Sequence, residues 1–153
     1  MVHIGSMAPD FTLPSTGQRD DVTLSAYRGK KNVLLVFFPL AFTPGCIREL
    51  TTLKEDYHLL TQCETEVLGV SVDHIYSQNV FESTLGTLPY PLVSDWHKEM
   101  VKAYGVLDDS EGVAIRSVFL LDKEGILVYK NEAFDPGELD HYEEVYKQCS
   151  RLD

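Results

Sequence analysis

Two runs of strand length, the first apolar throughout and the second mostly apolar, constrain the fold of this chain more than any other feature. The first is VLLVFF, within residues 32–38, and the second is EVLGVSV at residues 66–72. Such continuous apolar character is typical of strands buried on both faces of a parallel sheet. Between the runs, apolar residues recur at the three- and four-residue steps of an amphipathic helix: Ile47, Leu50, Leu53, Tyr57 and Leu60. The sequence therefore predicts a right-handed parallel strand, helix, strand unit.

The rest of the chain continues the alternation of helices and strands. The expected elements are helices at 73–85, 96–104 and 138–152, an extended piece at 88–95, and a hairpin of strands 117–121 and 126–129. This order is that of an α/β, thioredoxin-like fold, in which helices flank a mixed central sheet. We expect one domain over residues 1–153, with an N-terminal extension and a helix inserted between the two halves.

Charge and hydropathy exclude several classes of partner. The 153 residues carry 13 basic and 24 acidic side chains, a formal net charge of −11 that disfavours binding to nucleic acid or anionic membranes. The longest apolar run is far too short to span a membrane. The N-terminus, MVHIGSMAPDF, lacks the basic and apolar regions of a signal peptide, so a cytoplasmic location is expected.

The three cysteines are Cys46, Cys63 and Cys149, an odd number at wide spacings. They match neither a secreted disulfide framework nor a zinc site, and they favour a reducing compartment with one or more reactive thiols. The five histidines are scattered without ligand spacing. We therefore expect no metal and no other cofactor.

Cys46 follows the apolar run within the stretch FFPLAFTPGCIRE. If a helix begins here, Thr43 is the N-cap, Pro44 is the first helical residue, and Cys46 lies in the first turn. Free amides and the helix dipole favour a thiolate at that position. Pro39 and the apolar residues 40–42 are expected to form a dry collar around the sulfur. The alternative is that Cys46 is a small buried hydrophobic residue.

Glu49 stands where a dithiol motif would place its second cysteine, so dithiol chemistry within the motif is excluded. Its negative charge would oppose a thiolate on the same helix face unless a cation intervenes. Arg116, which precedes the buried run SVFLL, is the expected cation, with its guanidinium between Glu49 and the sulfur. The alternative is an edge residue whose head group lies in water.

The pattern Pro39-x-x-x-Thr43-x-x-Cys46, together with Glu49 and Arg116, resembles the active site of peroxiredoxins, the AhpC/TSA family. Further matching stretches cover nearly the whole chain: APDFTL, EVLGVSVD, LVSD and RSVFLLD. The chain looks most like the AhpE-type one-cysteine subgroup, because it has the sequence Pro-Leu-Ala-Phe-Thr at residues 39–43, a short length and the single Trp96.

This resemblance implies a thiol-dependent peroxidase acting on hydrogen peroxide, small organic hydroperoxides or peroxynitrite. Cys46 would attack the O–O bond and become a sulfenic acid. Thr43 and the amides of Gly45 and Cys46 would hold the peroxide oxygens, Arg116 would stabilise the developing charge, and Pro39 would shield the sulfur. The alternative function is a redox-sensing or chaperone-like binding protein on the same fold.

The resemblance also implies partners. An external thiol would reduce oxidised Cys46: thioredoxin, a glutaredoxin-like protein or a low-molecular-weight thiol. Cys149, on the terminal helix, is the alternative resolving cysteine, whereas Cys63 is expected to be structural because an intervening helix would place it roughly 25 Å from Cys46. A homodimer is expected, with Phe42 and Trp96 near its interface.

Overall fold

The computed structural model describes residues 2–17 and 19–152. Nine strands and five α-helices are assigned within these residues, together with a short 3₁₀ turn at Leu24–Tyr27. In chain order they are β1 (Thr12–Leu13), β2 (Val22–Thr23), β3 (Asn32–Phe37), α1 (Pro44–Glu55), α2 (Tyr57–Thr61), β4 (Thr65–Ser71), α3 (Ile75–Thr84), β5 (Leu92–Ser94), α4 (Glu99–Ala103), β6 (Leu107–Asp108), β7 (Val113–Ala114), β8 (Ser117–Leu121), β9 (Leu127–Asn131) and α5 (Leu139–Ser150).

A five-stranded sheet with the order β5-β4-β3-β8-β9 forms the centre of the molecule. Strand β3 runs parallel to β4 and antiparallel to β8, and β4 runs parallel to β5. The predicted hairpin forms the antiparallel pair β8 and β9. The predicted α/β thioredoxin-like fold, a mixed sheet flanked by helices, is therefore confirmed.

The apolar run of β3 is continuous because both faces of the sheet are covered. Val33, Leu35 and Phe37 belong to one buried cluster, and Leu34 and Val36 belong to another. Successive strand residues point to opposite faces, so each cluster receives every second side chain. The second cluster also contains residues of α1 and α5, including two of the three cysteines: Cys46, Leu50, Leu53, Tyr142, Val145 and Cys149.

The structure differs from the sequence-based expectation in three places. The helix expected to run on to residue 60 breaks at Asp56, whose carboxylate accepts a hydrogen bond from the Tyr146 hydroxyl of α5 (2.7 Å). The helix expected from Trp96 begins only at Glu99, because the Asp95 carboxylate accepts the amide hydrogens of the first turn and Lys98 adopts φ 61°. Strands β6 and β7 form a hairpin that periodicity did not predict.

Strand register places the segments of the site at one end of the sheet. Strand β3 ends at Phe37, which pairs with Ser117 at the start of the antiparallel β8. Residue 116 therefore lies beside the loop that leads from β3 into α1. Among the described residues, no helix is both long and apolar enough to cross a membrane.

Candidate active site

Cys46 is the third residue of α1 and is completely buried. Pro44 opens the helix, as predicted, and the first intrahelical bond runs from the Ile47 amide to the Thr43 carbonyl (3.0 Å). The amides of Gly45 and Cys46 precede that bond, so they belong to the unpaired donors of a helix start. Thr43 occupies the cap position, but its hydroxyl donates to the Leu40 carbonyl (3.0 Å) rather than capping the helix.

Arg116 lies between Glu49 and the sulfur of Cys46. Its Nη1 donates to Glu49 Oε1 at 2.7 Å, and its Nη2 is 3.5 Å from Cys46 Sγ. The Arg116 side chain is 17% exposed and that of Glu49 is 0% exposed. The alternative that the arginine head group lies in water is therefore wrong.

Burial and the neighbouring charges shift the pKa values of Glu49 and Arg116. It raises the pKa of Glu49 to about 7, although the Arg116 charge acts in the opposite direction. Burial also lowers the pKa of Arg116, but the Glu49 carboxylate and the Cys46 sulfur outweigh it, and the net change is upward. Arg116 is therefore a permanent cation beside the sulfur.

Gly45 gives the guanidinium room to reach Cys46. An ideal Cβ at position 45 would lie 3.0 Å from Arg116 Nη2 and 3.6 Å from Pro136 Cγ. A Cβ at this position would press on the arginine and would be in ordinary contact with the Pro136 ring. The sequence indicated Gly45 only as a source of an amide, and this close approach is visible only in the folded chain.

The active-site loop, residues 39–43, does not form the expected apolar collar. Leu40 is 42% exposed and Phe42 is 49% exposed, so these side chains face the surface. Pro39 and Ala41 are partly buried. The sulfur is dry because Cys46 belongs to the buried cluster behind the loop, which includes Phe38, Leu50 and Phe134.

The other two cysteines lie far from Cys46. Cys149 is buried in the last turn of α5, beside Thr65 and Cys63, and burial raises the pKa of its thiol to about 12. Thr65 pairs with Asn32 at the start of β3, so the length of β3, roughly 17 Å, separates this group from the end that holds Cys46. A disulfide requires Cα atoms within about 7 Å. The structure does not bring the thiols of Cys46 and Cys149 together, which disfavours Cys149 as an intrachain resolving cysteine.

The described residues contain no group of three His, Cys, Asp or Glu side chains placed to hold a metal ion. The arrangement around Cys46 thus consists of one thiol, one cation, one buried carboxylate and a helix start. Such a set can stabilise a thiolate and an oxyanion formed next to it.

Two solved structures, an AhpC and a 2-Cys peroxiredoxin, have the same fold as this chain. The crystal structure of Enterococcus faecalis AhpC superposes with a TM-score of 0.88 at 27% identity, covering 98% of this chain and 92% of that chain. The reduced 2-Cys peroxiredoxin of Plasmodium vivax superposes with a TM-score of 0.86 at 30% identity, covering 98% of this chain and 81% of that chain.

The sequence model of the AhpC/TSA family matches residues 4–130, and the chain belongs to this family. Alkyl hydroperoxide reductase E of Mycobacterium tuberculosis is 40% identical over 141 residues, which are 91% of this chain and 90% of that protein. The peroxiredoxin resemblance and the likeness to AhpE-type proteins are therefore confirmed.

The chloroplastic 2-Cys peroxiredoxin BAS1 proteins are longer relatives. The one from Hordeum vulgare is 41% identical over 132 residues, covering 81% of this chain and 63% of that protein. The BAS1 proteins of Spinacia oleracea and Arabidopsis thaliana are also 41% identical, and the match covers 50% of each. This chain thus spans between half and two thirds of the length of these relatives.

Proposed function

We propose that the protein is a thiol-dependent peroxidase that reduces hydrogen peroxide, small organic hydroperoxides or peroxynitrite. The observation that carries this proposal is the contact between Arg116 Nη2 and the buried Cys46 sulfur, 3.5 Å apart, in the first turn of α1. Membership of the AhpC/TSA family supports it. The alternative, a redox-sensing or chaperone-like binding protein, is not favoured by these relatives.

In the proposed reaction, the Cys46 thiolate attacks one peroxide oxygen. A sulfur–oxygen bond forms and the O–O bond breaks. The leaving oxygen of hydrogen peroxide or an organic hydroperoxide takes the proton given up by the Cys46 thiol and departs as water or an alcohol, whereas peroxynitrite releases nitrite. Cys46 is left as a sulfenic acid. Arg116 stabilises the thiolate before the attack and the leaving oxyanion during it.

The start of α1 supplies the remaining groups that would position the peroxide. The unpaired amides of Gly45 and Cys46 donate to a peroxide oxygen. The Thr43 hydroxyl already donates its own hydrogen to the Leu40 carbonyl, so its lone pairs are free to accept the peroxide O–H. Pro39 has no N–H to draw water toward the loop and shields the sulfur.

An external thiol then reduces the sulfenic acid. The first thiol displaces water and forms a mixed disulfide, and a second thiol releases Cys46 and leaves as a disulfide. Thioredoxin, a glutaredoxin-like protein and a low-molecular-weight thiol all fit this role. The distance of Cys63 and Cys149 from the site supports an external reductant.

A homodimer that uses the surface beside the active-site loop is part of this proposal. Phe42 and Trp96 are 49% and 55% exposed, an unusual position for two large aromatic side chains. Sedimentation at micromolar protein should show a dimer, and a monomeric mass would contradict it. A cytoplasmic location remains a prediction, and it is supported by the scattered free cysteines.

The experiment that tests the function treats fully reduced protein with one equivalent of hydrogen peroxide in the presence of dimedone. Peptide mass spectrometry should find the dimedone adduct on Cys46, and the Cys46→Ser variant should carry none. Turnover of peroxide with dithiothreitol, and with thioredoxin, then distinguishes an enzyme from a sensor that is oxidised once. An unmodified Cys46 in the wild-type protein would refute the proposal.

A further inference from the structure

The carboxylate of Asp73 binds the active-site loop from a neighbouring strand. Asp73 follows β4, and its Oδ2 accepts a hydrogen bond from the Ala41 amide (2.9 Å) and another from the Ser71 hydroxyl (2.7 Å). The backbone bonds made by the described residues do not include the Ala41 amide, so Asp73 is the partner that the structure assigns to it.

Asp73 is itself held in place by buried polar groups. Gln78, on α3, donates through Nε2 to the Ser71 hydroxyl (2.9 Å) and to the Val93 carbonyl of β5 (2.9 Å). The Ser94 hydroxyl donates to the Asp73 carbonyl (2.7 Å). Two strands and a helix therefore fix the carboxylate that the loop binds, and the anchor point belongs to the rigid part of the molecule.

The loop residue next to Ala41 is in an unfavourable backbone conformation. Phe42 has φ 70°, a region that bulky side chains rarely adopt, and its ring packs against Phe81 with 5.0 Å between the centroids. Such a conformation persists only where the surroundings hold it. The Ala41 amide bond and the Phe42 ring contact restrain this conformation, together with the hydrogen bond from the Thr43 hydroxyl to the Leu40 carbonyl.

We propose that Asp73 is a positioning residue for the peroxide reaction: by holding the Ala41 amide, it keeps the active-site loop closed against the cluster that encloses Cys46. This inference rests on the proposed function. Ala41 packs on the cluster that contains the completely buried Cys46. Release of the Ala41 amide should therefore loosen the packing beside the sulfur and let a thiol reagent reach it faster. The closed loop also fixes Pro39 and Thr43 for the attack on peroxide.

The test compares Asp73→Ala with Asp73→Asn in the full chain. The alanine variant should be alkylated at Cys46 by iodoacetamide about tenfold faster than the wild type, and it should react with peroxide about tenfold more slowly. The asparagine variant should stay close to the wild type in both rates, because its side-chain oxygen still accepts the Ala41 and Ser71 hydrogens. Peptide mapping assigns the alkylated cysteine.

The matched control is Asp122→Ala, in the turn between β8 and β9 at the opposite end of the sheet. Its Oδ1 accepts the amides of Glu124 (2.9 Å) and Ile126 (3.0 Å), so the control also removes a carboxylate that binds loop amides. Both Cys46 rates should remain at the wild-type values in this variant. Equal alkylation rates in Asp73→Ala and the wild type would overturn the proposal.

A measurement on the wild-type protein covers the case in which Asp73→Ala does not fold. Amide hydrogen exchange should show Ala41 protected, and exchange as fast as that of unbonded loop amides would overturn the proposal. The test of Asp73 can fail or succeed independently of the proposed peroxidase function. If wild-type Cys46 does not react with peroxide, the peroxidase proposal fails, while alkylation and exchange still decide whether Asp73 closes the loop.

Discussion

One arginine joins a buried acid to a buried thiol: Arg116 donates to Glu49 Oε1 at 2.7 Å and lies 3.5 Å from Cys46 Sγ. The carboxylate and the sulfur each engage a different nitrogen of the same planar group. The position of the guanidinium relative to the sulfur is therefore fixed by Glu49 rather than by the flexible arginine stem.

Arg116→Lys should lower the rate of Cys46 oxidation by hydrogen peroxide about 10²-fold to 10³-fold, the cost of losing one oxyanion donor. A lysine retains the charge but has no planar fork to contact Glu49 and the sulfur together. Stopped-flow kinetics measure the rate. The control is Arg19→Lys, which alters a different arginine–carboxylate pair, with Glu82 at 3.7 Å, and should leave the rate unchanged. A similar rate in Arg116→Lys and the wild type would refute the role of the guanidinium.

Glu49 should make the free energy of unfolding depend on pH. Burial raises its pKa from 4.5 to about 7, so the folded state retains a proton that the unfolded state has lost. Stability should therefore decline as pH rises from about 4.5 to about 7, by up to a few kcal/mol. Urea unfolding across this range measures the decline.

Glu49→Gln is the matched variant for that titration, because it retains the shape of the side chain without the ionisable group. Its free energy of unfolding should change less than that of the wild type over the same pH window. Parallel profiles for the two proteins would show that Glu49 ionises in the folded chain as it does in the unfolded one.

Gly45→Ala should slow peroxide reduction about tenfold by moving the guanidinium. The added Cβ would lie 3.0 Å from Arg116 Nη2, closer than the pair can accept without a shift. The control is Gly29→Ala, where the Cβ meets no atom within 4 Å but φ is 76°. That variant should lose about 1–2 kcal/mol of stability and retain the peroxide rate. A wild-type rate of peroxide reduction in Gly45→Ala would contradict this prediction, because it would mean that the Arg116 guanidinium can shift without loss of activity.

Cys149 should take no part in turnover. Its thiol is buried and its pKa is raised to about 12, so almost no thiolate forms at neutral pH. Cys149→Ala should turn over peroxide with an external thiol at the wild-type rate, at a stability cost of about 1 kcal/mol for the lost sulfur contacts. Rapid formation of a Cys46–Cys149 disulfide in peroxide-treated wild-type protein, seen by intact mass, would contradict this expectation.

Periodicity was sufficient to predict the central elements of the fold. The two apolar runs became β3 and β4, and the Asp-Lys-Glu-Gly turn became the connection of β8 and β9. These signals are local, since they depend on which faces of an element are buried. The helix break at Asp56 coincides instead with a hydrogen bond from the hydroxyl of Tyr146, ninety positions away in the chain, and no local pattern encodes that contact.

Part of the site could also be predicted, because some of its signals are local. Arg116 was expected beside Glu49 because a charge next to a buried strand requires a partner. The resemblance put Phe42 near a dimer interface, but the residue pattern placed Leu40 and Phe42 in a dry collar, because hydrophobicity alone does not reveal which way an irregular loop faces. Asp73 was part of the matching stretch EVLGVSVD, but no pattern indicated its role: a carboxylate that accepts a backbone amide binds an atom that every residue except proline carries.

The pairing of Phe37 with Ser117 has a consequence for the order of events during folding. Cys46 and its helix belong to an early part of the chain, whereas the arginine that accompanies the sulfur arrives only when β8 has docked against β3. A chain that has completed only its first strand, helix and strand carries Cys46 at a helix start but without its cation. The contact between the guanidinium and this thiol is therefore a product of the finished sheet.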